Sequence, residues 1–207
     1  AHGYSCYWKG LLEEAEGYLL KAIDFCERVN LCLWAAGSHT YLQDVYFNLG
    51  NYNKSAHHAV QAISIWDDLK LFPSYLFVSH MNLIRAEVVD AQKEFDLKQL
   101  SDQVNKINFK VFDGQIRRSL AIILMNANDP QLAVAAEWIE KAVECDKQND
   151  MKASLGFAYA LYAELSKRLG NLPKAREQLN KAIQIMKECG ADGWVEKYEK
   201  ELAVLAS

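Results

Sequence analysis

The chain has 207 residues, of which 51% are apolar and 24% are charged, so it can bury a sizeable core. Its net charge of −4 argues against a broad electrostatic attraction to nucleic acid or to an anionic membrane. Apolar runs such as Leu120–Met125 are far shorter than the roughly 20 residues of a membrane-spanning helix. We therefore expect no nucleic-acid partner and no membrane association.

The chain begins Ala-His-Gly, without an initiator Met and without the charged-then-apolar start of a signal peptide. We expect a cytoplasmic location and a fragment of a larger protein. The chain has five cysteines, an odd number, and no C-x-x-C pair. We therefore expect the cysteines to be small buried apolar side chains and not to form disulfides. His57 and His58 are adjacent and diverge on a helix, so we expect no metal site, and we expect no cofactor.

An apolar helical stripe recurs along the chain at a regular interval, in the order small, large, small at i, i+4 and i+7. The copies are Ala15/Leu19/Ala22, Ser55/Ala59/Ala62, a slipped copy at Leu97/Ser101/Val104, Ala135/Ile139/Ala142 and Ala175/Leu179/Ala182. Apart from the slipped copy, their numbers define a strict 40-residue frame. A turn precedes each stripe, and the clearest holds Gly170 and Asn171, which tolerate the left-handed conformation that ends a helix. Pro173 then suits the first turn of the next helix.

A second helical pattern precedes each turn. Its copies are Leu31–Asn48, Ser74–Ala91, Gly114–Asn128 and Ala153–Leu169, with only the final turns in Tyr4–Lys9. Trp194–Leu205 predicts a last helix that caps the stack, because Trp194, Tyr198, Leu202 and Leu205 share one side and charged residues the other. No linker divides the chain, so we expect one domain over residues 1–207. Its units are predicted at about 1–30, 31–70, 71–110, 111–150 and 151–190, with the cap at 191–207.

The helix–turn–helix unit resembles the tetratricopeptide repeat (TPR), whose second helix carries an Ala-centred stripe after a short turn containing Gly. The resemblance implies an all-α, right-handed superhelical solenoid of about five antiparallel hairpins plus a C-terminal capping helix. The repeat is longer than is usual in the family, and Gln43 and Ala163 replace the first-helix Gly. The long period also admits an armadillo or HEAT repeat. Long-helix versions resemble the C-terminal sensor regions of bacterial multidomain signalling ATPases, transcription activators and nucleotide-cyclase regulators.

No catalytic constellation is recognisable, and we expect the chain not to be an enzyme. The paired carboxylates Glu13-Glu14 and Asp67-Asp68 are predicted on solvated helix faces. Ser79 and His80 are neighbours on one helix and diverge, and the chain has no phosphate-binding loop of the G-x-x-x-x-G-K type.

In the TPR family the first helix of each hairpin lines a concave groove that binds a partner. The groove positions carried over from the family are Tyr4, Tyr7, Trp8, Thr40, Asp44, Phe47, Asn48, Phe77, His80, Ile84, Glu87, Arg117, Leu120, Leu124, Phe157, Glu164, Lys167 and Arg168. The Lys and Asn clamp of the chaperone-binding branch is not among them.

These residues predict a scaffold that binds a peptide or protein segment and serves as a sensor or regulatory module of a larger signalling protein. Aromatic residues at one end and basic residues at the other predict a segment that is apolar at one end and acidic at the other. The segment could belong to another domain of the parent chain. Three alternatives remain: a small-ligand pocket between repeats, an RNA-binding helical repeat, and a homodimer through a truncated first hairpin.

Overall fold

A computed structural model describes residues 2–91 and 93–206 of the chain. Over these residues the regular structure consists of eleven α-helices, and no strand is present. This confirms the predicted all-helical class. None of the described helices combines the length and the apolar character that crossing a membrane requires.

The chain divides into two compact units, Ala1–Lys93 and Glu94–Ser207. The helices of the first unit are α1 (His2–Lys9), α2 (Leu12–Arg28), α3 (Cys32–Asn48), α4 (Tyr52–Leu69) and α5 (Pro73–Ala91). Those of the second are α6 (Leu97–Lys106), α7 (Asp113–Asn126), α8 (Leu132–Gln148), α9 (Lys152–Arg168), α10 (Leu172–Glu188) and α11 (Asp192–Ala206). Within each unit, consecutive helices pack against each other.

Short turns set the helix starts. Helices α2, α4, α8 and α10 begin at residues 12, 52, 132 and 172, so all four follow the 40-residue frame. Gly50 and Gly170 end the preceding helices at φ +74°, which glycine adopts without strain. Asn51 and Asn171 then cap the next helices, because their side chains accept hydrogen bonds from the backbone N–H of Lys54 and Lys174.

The small–large–small stripe forms the core of the hairpins. Ala135, Ile139 and Ala142 on α8 have no exposed surface, and neither do Ala175 and Ala182 on α10. The second-unit helix α6 departs from the frame, and of the slipped stripe Leu97/Ser101/Val104 it buries Val104, whereas Leu97 and Ser101 are half-buried. It is a short helix, begins later than the frame position 92, and buries Leu100 and Val104.

The first helices of successive hairpins lie side by side within each unit. In the first unit α1 contacts α3, and α3 contacts α5, while in the second α7 contacts α9. Helix α7 is buried along most of its length. Helix α11 packs on α10 and buries Trp194 and Tyr198, as the predicted apolar side requires.

The cysteines correct one prediction. All five are free, but only Cys26 is buried, whereas Cys32 and Cys189 are exposed. Cys32 is the first residue of α3, and Cys189 directly follows the end of α10. Neither occupies a stripe position, which is where the helix period places core residues.

A chain of polar contacts ties three helices of the first unit together. Tyr46 on α3 donates a hydrogen bond of 2.7 Å to Glu16 on α2 and stacks on the ring of His58 on α4. The Nδ1 atoms of His39 and His58 lie 2.8 Å apart, so one donates its hydrogen to the other and both imidazoles are neutral. Burial is the largest cause that lowers the pKa of each histidine to about 4, and His57 contributes to both shifts, while His39 also contributes to that of His58.

We expect the substitution Ala175→Leu to destabilise the protein by about 1–3 kcal/mol, because the added methylenes overpack a residue with no exposed surface. Chemical denaturation of the intact chain measures the change. The same substitution at the exposed Ala133 on α8 is the control and should be nearly neutral. A Tm unchanged by Ala175→Leu would contradict the helix register.

The His39–His58 pair makes stability depend on pH. The folded pKa values of about 4 lie below the ordinary 6.5, so the unfolded chain binds protons that the folded chain does not. The pair's contribution to stability is therefore complete above pH 6.5 and falls as the pH drops towards 4, by up to about 2.7 kcal/mol per pH unit for two protons. Unfolding measured at several pH values tests this slope.

The double variant His39→Gln/His58→Gln should flatten the slope over that interval. His57→Gln should flatten the slope less than the double variant, because His57 is exposed and acts on the pair only as a neighbouring charge. An unchanged slope in the double variant would show that other groups titrate.

Candidate functional site

Aromatic side chains from α1, α3 and α5 meet in the first unit. The rings of Tyr4 and Tyr41 lie 4.6 Å apart in an edge-on arrangement, and Trp8 approaches Tyr4 at 6.0 Å and Tyr7 at 5.5 Å. Tyr75 on α5 joins them, because Tyr4 and Tyr75 both act on the Tyr41 phenol. We call these five residues the tyrosine cluster. It forms because the first helices lie side by side.

The tyrosine cluster is partly open to solvent. Tyr4 is 45% exposed, Tyr7 is buried, and Trp8, Tyr41 and Tyr75 are half-buried. Burial, and next the Tyr4 phenol, raise the pKa values of Tyr41 and Tyr75. Their hydroxyls therefore stay neutral across the physiological pH range. The cluster offers a partner both apolar ring surface and phenol hydroxyls that donate hydrogen bonds.

The family positions missed two members of this cluster. Tyr41 follows the predicted Thr40, and Tyr75 precedes the predicted Phe77 by two positions. A signal was present, since Tyr4, Tyr41 and Tyr75 place one tyrosine in each successive first helix. The cluster continues into the α4–α5 turn, where Tyr75 stacks on Trp66 at 5.0 Å.

A buried polar cluster joins α3 to α5. The Asp44 carboxylate accepts hydrogen bonds from Arg85 at 2.7 Å and from Asn82 at 3.3 Å. The Arg85 guanidinium also lies 3.8 Å from the centre of the Phe47 ring. Asn48 donates to the Asp44 backbone carbonyl. The predicted residues Asp44 and Phe47 thus contact α5 through Arg85 and Asn82, two partners that were not predicted, whereas the Asn48 bond lies within α3.

Other predicted residues of the first unit divide between packing and exposure. Thr40 is buried, donates to the Ala36 carbonyl and accepts a hydrogen bond from Trp66 Nε1. His80 is exposed, and its pKa is lowered by partial burial, which the Asp67 carboxylate opposes. The half-buried remainder comprises Phe77, Ile84 and Glu87, the last of which pairs with Lys93 at 3.0 Å.

In the second unit, α7 contributes its predicted residues to the interior. Leu120 and Leu124 have essentially no exposed surface and offer none to a partner. Arg117 is half-buried, with one guanidinium nitrogen 3.7 Å from Asp113 and the guanidinium carbon 5.6 Å from the Trp138 ring centre. Helix α7 is buried along most of its length, so its predicted groove residues are covered by the rest of the unit.

The predicted residues of α9 are engaged in contacts within the second unit. Arg168 donates to the Met125 carbonyl at 2.9 Å and to Asn126 at 3.1 Å, so it satisfies the C-terminal end of α7. Lys167 and Arg168 both pair with Glu164. Phe157 lies 5.0 Å from Trp194 of α11 in an edge-on contact. The basic end predicted for the groove therefore already has carboxylates beside it.

A second buried ion pair fixes α7 against the α8–α9 turn. Arg118 donates to Asp146 at 2.8 Å and to the Ser154 hydroxyl at 2.7 Å. Burial raises the pKa of Asp146, although the Arg118 charge opposes that shift. Gly114 makes the pair possible, since a Cβ there would lie 2.0 Å from an Asp146 oxygen. Arg118 and Asp146 act structurally in this arrangement.

No protein-family model and no curated protein sequence matches this chain. Within residues 2–91 and 93–206, no group of three or more His, Cys, Asp or Glu side chains is placed to share a metal ion. The paired carboxylates Glu13-Glu14 and Asp67-Asp68 are exposed, in agreement with the expectation of solvated faces.

Proposed function

We propose that this chain is a TPR-like scaffold, a right-handed array of five helix hairpins with a cap, that binds a peptide or protein segment on its first helices. The tyrosine cluster carries the proposal. Tyrosine and tryptophan are the residues that most often anchor protein interfaces, and here they converge from three helices onto one surface of the first unit. The partner's apolar part lies on this cluster.

The buried Asp44–Arg85 pair supports a rigid binding surface. It joins α3 to α5 beneath the same layer of helices, so the cluster is held before a partner arrives. By the resemblance, the partner would come from another domain of a larger bacterial signalling protein, with this chain as its sensor or regulatory module.

In the second unit, we expect an acidic segment to contact Lys167, because Arg117 and Arg168 are engaged within that unit. The Lys167 side chain is 53% exposed and its contact with Glu164 is 3.3 Å long. An exposed pair of this kind contributes little to stability, so a carboxylate of the partner can replace Glu164.

We expect Tyr4→Ala to weaken partner binding about tenfold or more, because it removes an exposed aromatic anchor from the cluster. The probe is a set of short peptides selected on the intact chain from a displayed random library, with affinities measured by calorimetry. Tyr18→Ala is the matched control, since Tyr18 is 47% exposed and Tyr4 is 45% exposed. Peptides that bind Tyr4→Ala as tightly as the unaltered chain would contradict the proposed surface.

Charge reversal tests the acidic half of the proposal. Among the selected peptides, those with carboxylates should bind Lys167→Glu about tenfold more weakly, and their binding should fall with salt. Lys181→Glu is the control, because Lys181 also pairs with a carboxylate on its own helix and is similarly exposed. Equal losses in both variants would indicate a general charge effect and contradict a site at Lys167.

A further inference from the structure

The contact between α3 and α4 holds two imidazoles whose nitrogens face each other. The ring centres of His39 and His58 are 5.1 Å apart, and their Nδ1 atoms are separated by 2.8 Å. The two residues are only 5% and 8% exposed. Because burial lowers the pKa of both histidines to about 4, both rings are neutral at neutral pH. The nitrogen of a neutral imidazole is the commonest metal ligand in proteins.

Next to this pair lies a buried amide whose polar atoms have no partner. Gln43 has no exposed surface, and neither its Nε2 nor its Oε1 is hydrogen-bonded to any described residue. It follows His39 by four residues on α3, so the two side chains are neighbours on one helix face. Its backbone carbonyl accepts a hydrogen bond from Ser55, which lies one turn before His58 on α4. In native proteins a bound water or ion commonly satisfies a buried polar group of this kind.

We propose that His39, Gln43 and His58 bind a divalent transition-metal ion such as zinc at the α3–α4 contact. The two histidines supply Nδ1, the glutamine supplies its amide oxygen, and a water takes the fourth position of a tetrahedron. Two zinc–nitrogen bonds of about 2.0–2.1 Å at a tetrahedral angle place their nitrogens about 3.3 Å apart. The pair therefore opens by about 0.5 Å from its present 2.8 Å, with a small turn of both rings.

Binding requires a change of tautomer and no loss of a proton. In the pair, one Nδ1 carries the hydrogen that the other accepts. When that hydrogen moves to Nε2 of the same ring, both Nδ1 atoms present a lone pair to the ion. A cysteine site differs in this respect, because a thiol must release its proton before it binds a metal.

Groups around the pair offset part of the ion's charge. Tyr46 stacks on the His58 ring at 5.3 Å and donates a hydrogen bond of 2.7 Å to Glu16, which brings one carboxylate near the site. Lys54 and His57 oppose a cation there, since both act on the His58 imidazole. The Lys54 side chain is 55% exposed and His57 is exposed, so both can turn towards solvent.

This site is separate from the surface that binds the proposed partner. Its ligands lie where α3 meets α4, whereas the tyrosine cluster lies on α1, α3 and α5. Failure of one proposal therefore leaves the other standing.

Calorimetric titration of the intact chain with zinc chloride at neutral pH tests the site. We expect a binding event with one ion per chain, and we expect His39→Gln to weaken it at least about tenfold while the helical content stays unchanged. His80→Gln is the control, because His80 is an exposed imidazole outside the pair. The absence of any zinc binding, or the same Kd in His39→Gln as in the unaltered chain, overturns the proposal.

A second variant separates an ion from a bound water. Gln43→Leu removes both polar atoms at nearly constant volume and leaves the two histidines in place. We expect it to weaken zinc binding about tenfold, because the ion loses its oxygen ligand. If the amide holds only a water, the zinc Kd stays unchanged in this variant, and the proposed ligand set is overturned.

The heat of binding distinguishes the histidines from thiols. Since no proton is released, we expect the same binding enthalpy in two buffers of different ionisation heat. Zinc held by the exposed Cys32 or Cys189 would instead release protons and give a buffer-dependent enthalpy. That result would assign the binding event to the thiols and overturn the proposal.

Discussion

Close approach of helices at the small residues is the constraint on which the rest of this structure depends. Ala15, Ser55, Ala135 and Ala175 occupy the same position of the 40-residue frame, and none of them has any exposed surface. A larger side chain there would hold the hairpin apart, because protein interiors leave no room for extra methylenes. Since small residues recur in the same frame along the chain, each hairpin presents its first helix in the same way. The side-by-side contacts of α1, α3 and α5 follow from this repetition.

Contact between the first helices brings tyrosines that are distant in the sequence close together in the first unit. Tyr4, Tyr41 and Tyr75 lie far apart in the chain, on three different helices, yet in the folded unit the Tyr4 and Tyr41 rings are in edge-on contact and the phenols of Tyr4 and Tyr75 raise the pKa of Tyr41. The same contact brings Asp44 to Arg85, a pair that must be well hydrogen-bonded because both charges are buried. Asn82 supplies that additional bond. The polar pair fixes how α3 lies on α5, and these two helices also carry Tyr41 and Tyr75.

The sequence was sufficient for the helices and insufficient for their contacts. The 40-residue frame predicted the starts of α2, α4, α8 and α10, because stripes and glycine turns are local signals. It could not predict that Arg168 satisfies the end of α7 or that Thr40 bonds to Trp66, since those partners are distant in the chain and follow no fixed spacing. The family positions fall on α1, α3 and α5 as well as on helices of the second unit, and Tyr41 and Tyr75 lie just beside them.

The two units differ in what their first helices leave for a partner. In the second unit, Leu120 and Leu124 are buried and Arg117 is held between Asp113 and Trp138, so α7 is committed to its own packing. In the first unit, Tyr4 keeps nearly half its surface in solvent, where it adds little to the core. The phenols of Tyr41 and Tyr75 remain neutral because burial raises their pKa values. Neutral phenols donate hydrogen bonds, so the partner that we propose would bring apolar side chains together with carbonyl or carboxylate acceptors.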